Sequence, residues 1–299
     1  MVSQELSILG ISAAITAGIQ FAGFLVAYCL QTEKFYDVLG GLNFLTIAIY
    51  SAADADSWGD DPRKIACTIV FICSRLWLLL FLAWRAHERN GDSRFDNVKD
   101  KFVMFFFYWS VQGIWVFTIS LPMILVNSSD KVYDKFSTLD IVSITLFALA
   151  VVIEITADVQ KARWVKRGRP GTFCTVGVWN YSRHPNYFGE MMQWWMCWLF
   201  SFSSGTGFDD VQWWCSILSP LFTMQVLLNT SGTGVPNANG ANLKRYYDAC
   251  PEAYTEYRKS TSILIPFIGY KYVPMFLKRT IFLDFKRFEY PGAKDTKCE

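Results

Sequence analysis

The sequence predicts an all-α membrane protein, a polytopic bundle of about seven transmembrane helices. Composition is the first reason: of 299 residues, 52% are hydrophobic and only 18% charged, against roughly 25% charged in an ordinary soluble domain. Mean hydropathy is +0.22. The second reason is an aromatic surplus of 25 Phe, 14 Tyr and 12 Trp, which suits a lipid-facing surface bounded by interfacial belts. The third is a series of apolar runs of spanning length, with Lys and Arg sorted onto alternate connections. Together these exclude a disordered chain, a collagen-like repeat and a charged coiled coil.

Taken in order, residues 6–30 are apolar apart from Gln20 and small hydroxyl residues. At about 1.5 Å per residue such a run crosses a hydrocarbon core of about 30 Å. No small-residue cleavage motif follows, so it reads as a first span. Residues 38–53 form a second, shorter span ending in Asp54, Asp56, Asp60 and Asp61, after which Pro62 opens the next helix. The third span, 65–84, encloses one charge, Arg75; the fourth, 102–126, contains Pro122 near its end; the fifth, 139–155, runs into Glu154 and Asp158. The sixth and seventh, 187–202 and 211–228, are rich in tryptophan.

The basic residues test this parse. The first, third and fifth connections carry one (Lys34), five (Arg85, Arg89, Arg94, Lys99, Lys101) and six (Lys161, Arg163, Lys166, Arg167, Arg169, Arg183). The even connections carry two (Arg63, Lys64), two (Lys131, Lys135) and none, and the C-terminal tail holds eleven. By the positive-inside rule the N-terminus is outside or lumenal, and the C-terminus faces the cytosol or matrix. The endoplasmic reticulum is the expected membrane, with a mitochondrial or plastid membrane as the alternatives. Residues 1–267 read as one membrane domain and 268–299 as an amphipathic, basic tail. In that tail Phe276, Phe282, Phe285 and Phe288 are set to partition, and Lys278, Arg279, Lys286 and Arg287 to meet lipid phosphates.

Some chemistries are excluded. Net charge is +2 with no basic stripe interleaved with aromatics, so no nucleic-acid partner is expected. Eight cysteines without a C-x-x-C, and only two histidines, argue against a disulfide framework or a metal centre.

Three places remain. Arg75 sits mid-span and needs a partner or a water-filled cavity. Glu154 and Asp158, four apart, share a helix face ahead of the basic run 161–169, a pairing suited to a phosphate-rich ligand. The basic run alone reads rather as a positive-inside flank, but an acid at membrane depth has no such use and shifts the balance. Third, the stretch 177–190 leads directly into the sixth span. Pro185 starts a helix there, so Asn186 and Glu190 fall on one face, and a loop-to-helix junction offers free N–H groups beside Arg183, His184 and Tyr187.

The run Tyr-Ser-Arg-His-Pro-Asn-Tyr-Phe-Gly-Glu at 181–190 resembles the signature of the membrane reductases that include steroid 5-alpha-reductases and sterol C14 reductases, and above all an uncharacterised branch close to the former. Isoprenylcysteine methyltransferases carry a related pattern. Similar stretches lie, in the same order, at 33–44, 89–96, 121–127, 154–161 and 257–267. The resemblance implies a seven-helix fold with a cytosolic-face cofactor cleft, binding NADPH and delivering hydride to the β carbon of a steroid- or isoprenoid-like enone. Carried over by motif, Asn186 would face the nicotinamide amide and Trp179 would line the cofactor. Asp158, Lys161, Arg183, His184 and Tyr257 fall in its cofactor-binding segments. Lys244 and Arg245 take over from the uncharged stretch 230–242, which reads as an asparagine-rich hinge. Candidate proton donors are Tyr187, Glu154 and Glu190.

Two other readings stand beside the reductase. One is a reductase fold kept as a non-catalytic subunit of a larger membrane complex, for which the uncharged hinge and basic tail speak. The other, weaker, is a methyltransferase using S-adenosylmethionine. The partners expected are a hydrophobic lipid-like substrate and membrane lipids.

Overall fold

A computed structural model describes residues 4–89, 95–205, 207–230 and 234–289; their regular structure is helical, with no strand among them. Most of the 89–96 motif and the last ten residues of the tail lie outside the described residues. Helices α1 (Gln4–Leu30), α2 (Tyr36–Ala53), α3 (Pro62–Arg89), α4 (Phe102–Ser128), α5 (Thr138–Lys166) and α6 (Pro185–Ser201) fall on the first six predicted runs. The seventh run is a pair, α7 (Val211–Ser216) and α8 (Leu218–Asn229), joined at Ile217.

Five of these stretches are long and apolar enough to cross a membrane: α1, α3, α4, α5 and the run that starts at Val211. By the length and composition of its helices, the chain is a multi-pass membrane protein. The other two helices are 18 and 17 residues long. Polar residues lower their hydropathy: Asp37 and Asn43 in α2, Asn186, Glu190 and Gln193 in α6.

The chain forms two compact units: Met1–Ala148 with Trp194–Phe222, and Leu149–Gln193 with Thr223–Glu299. In the first, α1 buries Ile8, Ser12, Thr16, Gln20, Gly23, Phe24 and Ala27 at helical spacing, while Leu6, Ile11, Phe21, Leu25, Val26 and Leu30 are exposed. A helix in water does the reverse. Small and polar residues inside, with large aliphatics outside, is the arrangement of a helix solvated by lipid.

Close approach makes polar contacts between these helices. A Cβ at Gly41 would lie 2.7 Å from Leu79 Cδ1 of α3, and one at Gly40 would lie 2.5 Å from Gln112 Nε2 of α4. Gln112 donates to Tyr36 O (3.2 Å), Gln20 to Asn43 Oδ1 (3.0 Å), and Asn127 bridges Thr68 and Ser51 (3.1 and 2.9 Å). Arg75 is fully buried. It donates to Ser74 Oγ (2.8 Å) and lies 4.5 Å from the ring centroid of Trp194 and 5.6 Å from that of Phe44. Its expected partners therefore include a hydroxyl and two aromatic faces.

A second buried cation, Arg63, ties the start of α3 to α5 and α6. It pairs with Asp140 (3.1 Å) and donates to Phe200 O (2.9 Å) and Ser204 Oγ (3.2 Å). Asp61 caps α3 by accepting from Arg63 N (2.8 Å). Between α1 and α4 opens an apolar cavity of about 480 Å³, lined by Thr16, Gln20, Phe21, Trp109 and Gly113 among others.

Removing one partner of a buried ion pair strands the other. Asp140→Ala is expected to destabilise the first unit by about 3–5 kcal/mol. In detergent the thermal midpoint falls, and adding Arg63→Ala gives less than the sum of the two single losses.

Candidate functional site

All twelve candidate site residues lie in the second unit. Helix α5 continues eleven residues beyond the predicted end of its apolar run, through Lys166. Its last turn carries Arg163 and Lys166, cations that suit the negative end of the helix dipole. Glu154, Asp158 and Lys161 thus project from one regular helix.

The signature is held in place by the segment that follows α10 (Pro251–Ser260). Ser182 and Ser262 form an isolated parallel bridge. Arg183 N donates to Ser262 O (2.9 Å), Phe267 N to Tyr181 O (3.2 Å), and Ser182 Oγ to Leu264 O (2.5 Å). α6 starts at Pro185, a residue suited to the first helical position. The His184 ring stacks on Tyr187, with centroids 5.2 Å apart and planes 2° from parallel.

From there α6 lies tightly on α5. A Cβ at Gly189 would fall 2.7 Å from Ala150 O and 2.9 Å from Glu154 Cβ. Through this contact Asn186 Nδ2 donates to Asp158 Oδ1 (3.2 Å), and Gln193 Nε2 donates to Glu154 Oε2 (2.5 Å). Asn186 Oδ1 is buried and accepts nothing. Glu190 is half-buried on α6, one turn beyond Asn186.

Lys161 is held by indole faces, its Nζ 4.4 Å from the Trp179 centroid and 4.8 Å from that of Trp164. Trp179 is fixed by its own donation to Ala157 O (2.9 Å), and Val178 N donates to Gln160 Oε1 (3.0 Å). Arg169 and Arg245 are within electrostatic reach of Lys161. Tyr257 OH donates to Trp179 O (2.5 Å), and Phe173 lies 5.0 Å from both Tyr254 and Tyr257. Burial pushes Tyr254 up to about 12 and Tyr257 higher still, so both phenols stay protonated donors.

Arg183 has a different neighbour. It is buried and pairs with Asp284 Oδ2 at 2.6 Å, an oxygen that also accepts from Tyr270 OH (2.9 Å). Burial opposes the guanidinium's charge, but Asp284 outweighs it and the pKa is raised.

The expected hinge after the seventh run is instead helix from Gly234, α9 (Gly234–Ala249); residues 231–233 lie outside the described residues. Leu243 and Tyr246 of α9 bury against Tyr254, and that packing outweighs the weak helix propensity of Gly and Asn. Arg245 stacks over Tyr246 (5.0 Å), while Lys244 is exposed and pairs with Asp248 (3.0 Å).

Ten of the twelve sequence-derived residues fall in three sets: Glu154, Asp158 and Asn186; Lys161, Trp179 and Tyr257, with Arg245 nearby; and Arg183 with His184 and Tyr187; Glu190 lies one turn beyond Asn186, and Lys244 is exposed on α9. Sequence reasoning missed Gln193, Gln160 and Asp284. Gln193 could have been found, since it stands seven residues from Asn186 and so on the same helix face. Asp284 carries no local signal.

Over residues 23–261 the chain matches the family described as "Protein of unknown function (DUF1295)". The chain belongs to the DUF1295 family. No curated protein and no solved structure matches it. The DUF1295 match takes in both the α5 acids and the signature, and it ends at Thr261, so Tyr270 and Asp284 come from beyond the matched region.

Two outcomes follow. Gly189→Val drives methyl groups into the α5 backbone and is expected to cost about 1–3 kcal/mol, lowering the melting temperature measured in detergent. A phenol whose pKa is raised in the fold ionises first in the unfolded chain, so its contribution to stability is complete below about pH 10 and is lost as pH rises toward 12. For Tyr254 that loss is about 2–3 kcal/mol, and Tyr254→Phe should flatten the decline of the melting temperature between pH 10 and 12.

Proposed function

We propose that this DUF1295 chain is an NADPH-dependent membrane oxidoreductase that reduces a carbon–carbon double bond of a hydrophobic enone, steroid- or isoprenoid-like. The observation that carries the reading is Asn186: one end of its amide is anchored on Asp158, and the other, Oδ1, is buried without a donor. A primary carboxamide such as that of nicotinamide supplies the missing N–H. Two further features support the same ligand. Arg169 and Arg245 each act on Lys161 as a neighbouring like charge, a repulsion that phosphate would relieve. The DUF1295 family is related to steroid 5-alpha-reductase-like proteins. We take the chain to cross the membrane seven times, with α2 and α6 as the two short spans, a cytosolic C-terminus, and the endoplasmic reticulum as its membrane.

Bound NADPH supplies the hydride for such a reduction. The chain's own residues would orient, neutralise and donate protons. Asn186 fixes the face presented by the nicotinamide, and Trp179 with Tyr257 walls the site. Lys161 and Arg245 balance phosphate charge. A donor must hydrogen-bond the substrate carbonyl and protonate the enolate; Tyr187, steadied by His184, serves that role, with Glu154 and Glu190 as the carboxyl alternatives.

One observation favours the non-catalytic reading. Arg183, a cation of the signature, already pairs with the chain's own Asp284. Nucleotide binding decides between them. Detergent-solubilised protein is expected to bind NADPH by fluorescence titration, with Asn186→Ala weakening the affinity about two- to tenfold and Lys161→Gln weakening it further. If the wild-type chain binds no nicotinamide nucleotide and purifies as a stoichiometric component of a complex, the reductase proposal is wrong.

A further inference from the structure

The segment after the signature clamp ends in a rigid apex whose apolar side chains face away from the fold. Gly269, at φ +78°, turns the chain, and Tyr272 N donates to Gly269 O (3.0 Å). The turn points Tyr270 inward, where it is 1% exposed and packs on Phe282 at 5.2 Å. Its neighbours point the other way: Ile268 is 82% exposed and Tyr272 86%. Helix α11 (Met275–Thr280) continues this surface with Met275 and Phe276, and Ile281 follows. Phe282 and Phe288, which the sequence alone would send outward, are instead buried: Phe282 packs on Phe267 and Tyr270 beneath the apex, and Phe288 joins a core with Met191, Leu228 and Ile263.

Exposed aliphatic and aromatic side chains on a preformed turn need a partner other than water. Cations lie along this segment. Lys271, within the apex, is exposed and pairs with Glu256 at the surface (2.9 Å), Lys278 lies over the Tyr270 ring (4.4 Å), and Lys286 and Arg287, further along the chain, are exposed, Arg287 donating to Asn229 Oδ1 (2.6 Å). Charge complementarity therefore calls for an anionic surface with an apolar layer beneath it. Membrane-spanning helices keep that surface at high effective concentration.

We propose that residues 267–281 dock on the headgroup layer of a bilayer containing anionic lipid, with Ile268, Tyr272 and Phe276 inserted and Lys271 and Lys286 on lipid phosphates. Because Tyr270 of this segment donates to Asp284, which pairs with Arg183, docking also steadies the signature clamp. This inference is independent of the nucleotide reading.

The test is hydrogen–deuterium exchange on the full chain reconstituted in nanodiscs of phosphatidylcholine alone or with 30% phosphatidylserine added. Exchange over 267–281 should slow about tenfold in the anionic discs. Tyr272→Ser with Phe276→Ser should abolish that protection, while peptides around the Ser182–Ser262 bridge keep theirs, which verifies folding. Lys271→Glu with Lys286→Glu should remove only the part that depends on phosphatidylserine. Equal exchange in detergent and in both discs overturns the proposal. So does protection that appears only with cross-linked dimers, which would assign the apex to a second copy of the chain.

Discussion

The geometry of the candidate site depends on how closely α6 lies against α5, and that closeness depends on Gly189 having no side chain. At this position any Cβ meets the carbonyl of Ala150 and the backbone of Glu154. Helices that approach to backbone contact bring short polar side chains within reach of each other, as small residues do generally between membrane helices. Asn186, one turn before Gly189, then reaches Asp158, and Gln193, one turn after it, reaches Glu154. Both acids are buried at that contact, where an unpaired polar group is expensive. The site and the helix packing are therefore one solution to one constraint.

That constraint explains what could be read from the sequence. The runs that became α1 to α8 were legible because hydrocarbon demands long apolar stretches, and no competing interaction erases such a pattern. The inside-out face of α1 was legible only in part: Gln20 stood out as an exception, but its role as the donor to Asn43 needed the neighbouring helix. α9 was not legible. Its first residues are poor helix formers, and the burial of Leu243 and Tyr246 that holds it comes from α10, which no local pattern announces.

Within the site, legibility follows sequence distance. Glu154 with Asp158, and Asn186 with Glu190, could be paired by helical spacing alone. Lys161 with Trp179 could not, because the indole arrives by way of a turn at Gly177, whose positive φ of 57° redirects the chain. Arg183 with Asp284 is harder still, a contact across 101 residues between a signature motif and a segment that resembles a surface tail. Spacing arguments reach one helix face and stop there.

The two groups of cations in the second unit show why these contacts differ in kind. Arg183 is buried and its charge is balanced by Asp284, so this pair serves the fold: removing either member would strand the other. Lys161 is only half-buried and faces aromatic rings with Arg169 and Arg245 close by. Aromatic faces favour a cation but do not neutralise it, and like charges near one another repel, more strongly beneath a protein surface than in water. A fold gains nothing from gathering cations that way. An anion placed among them would lower that energy.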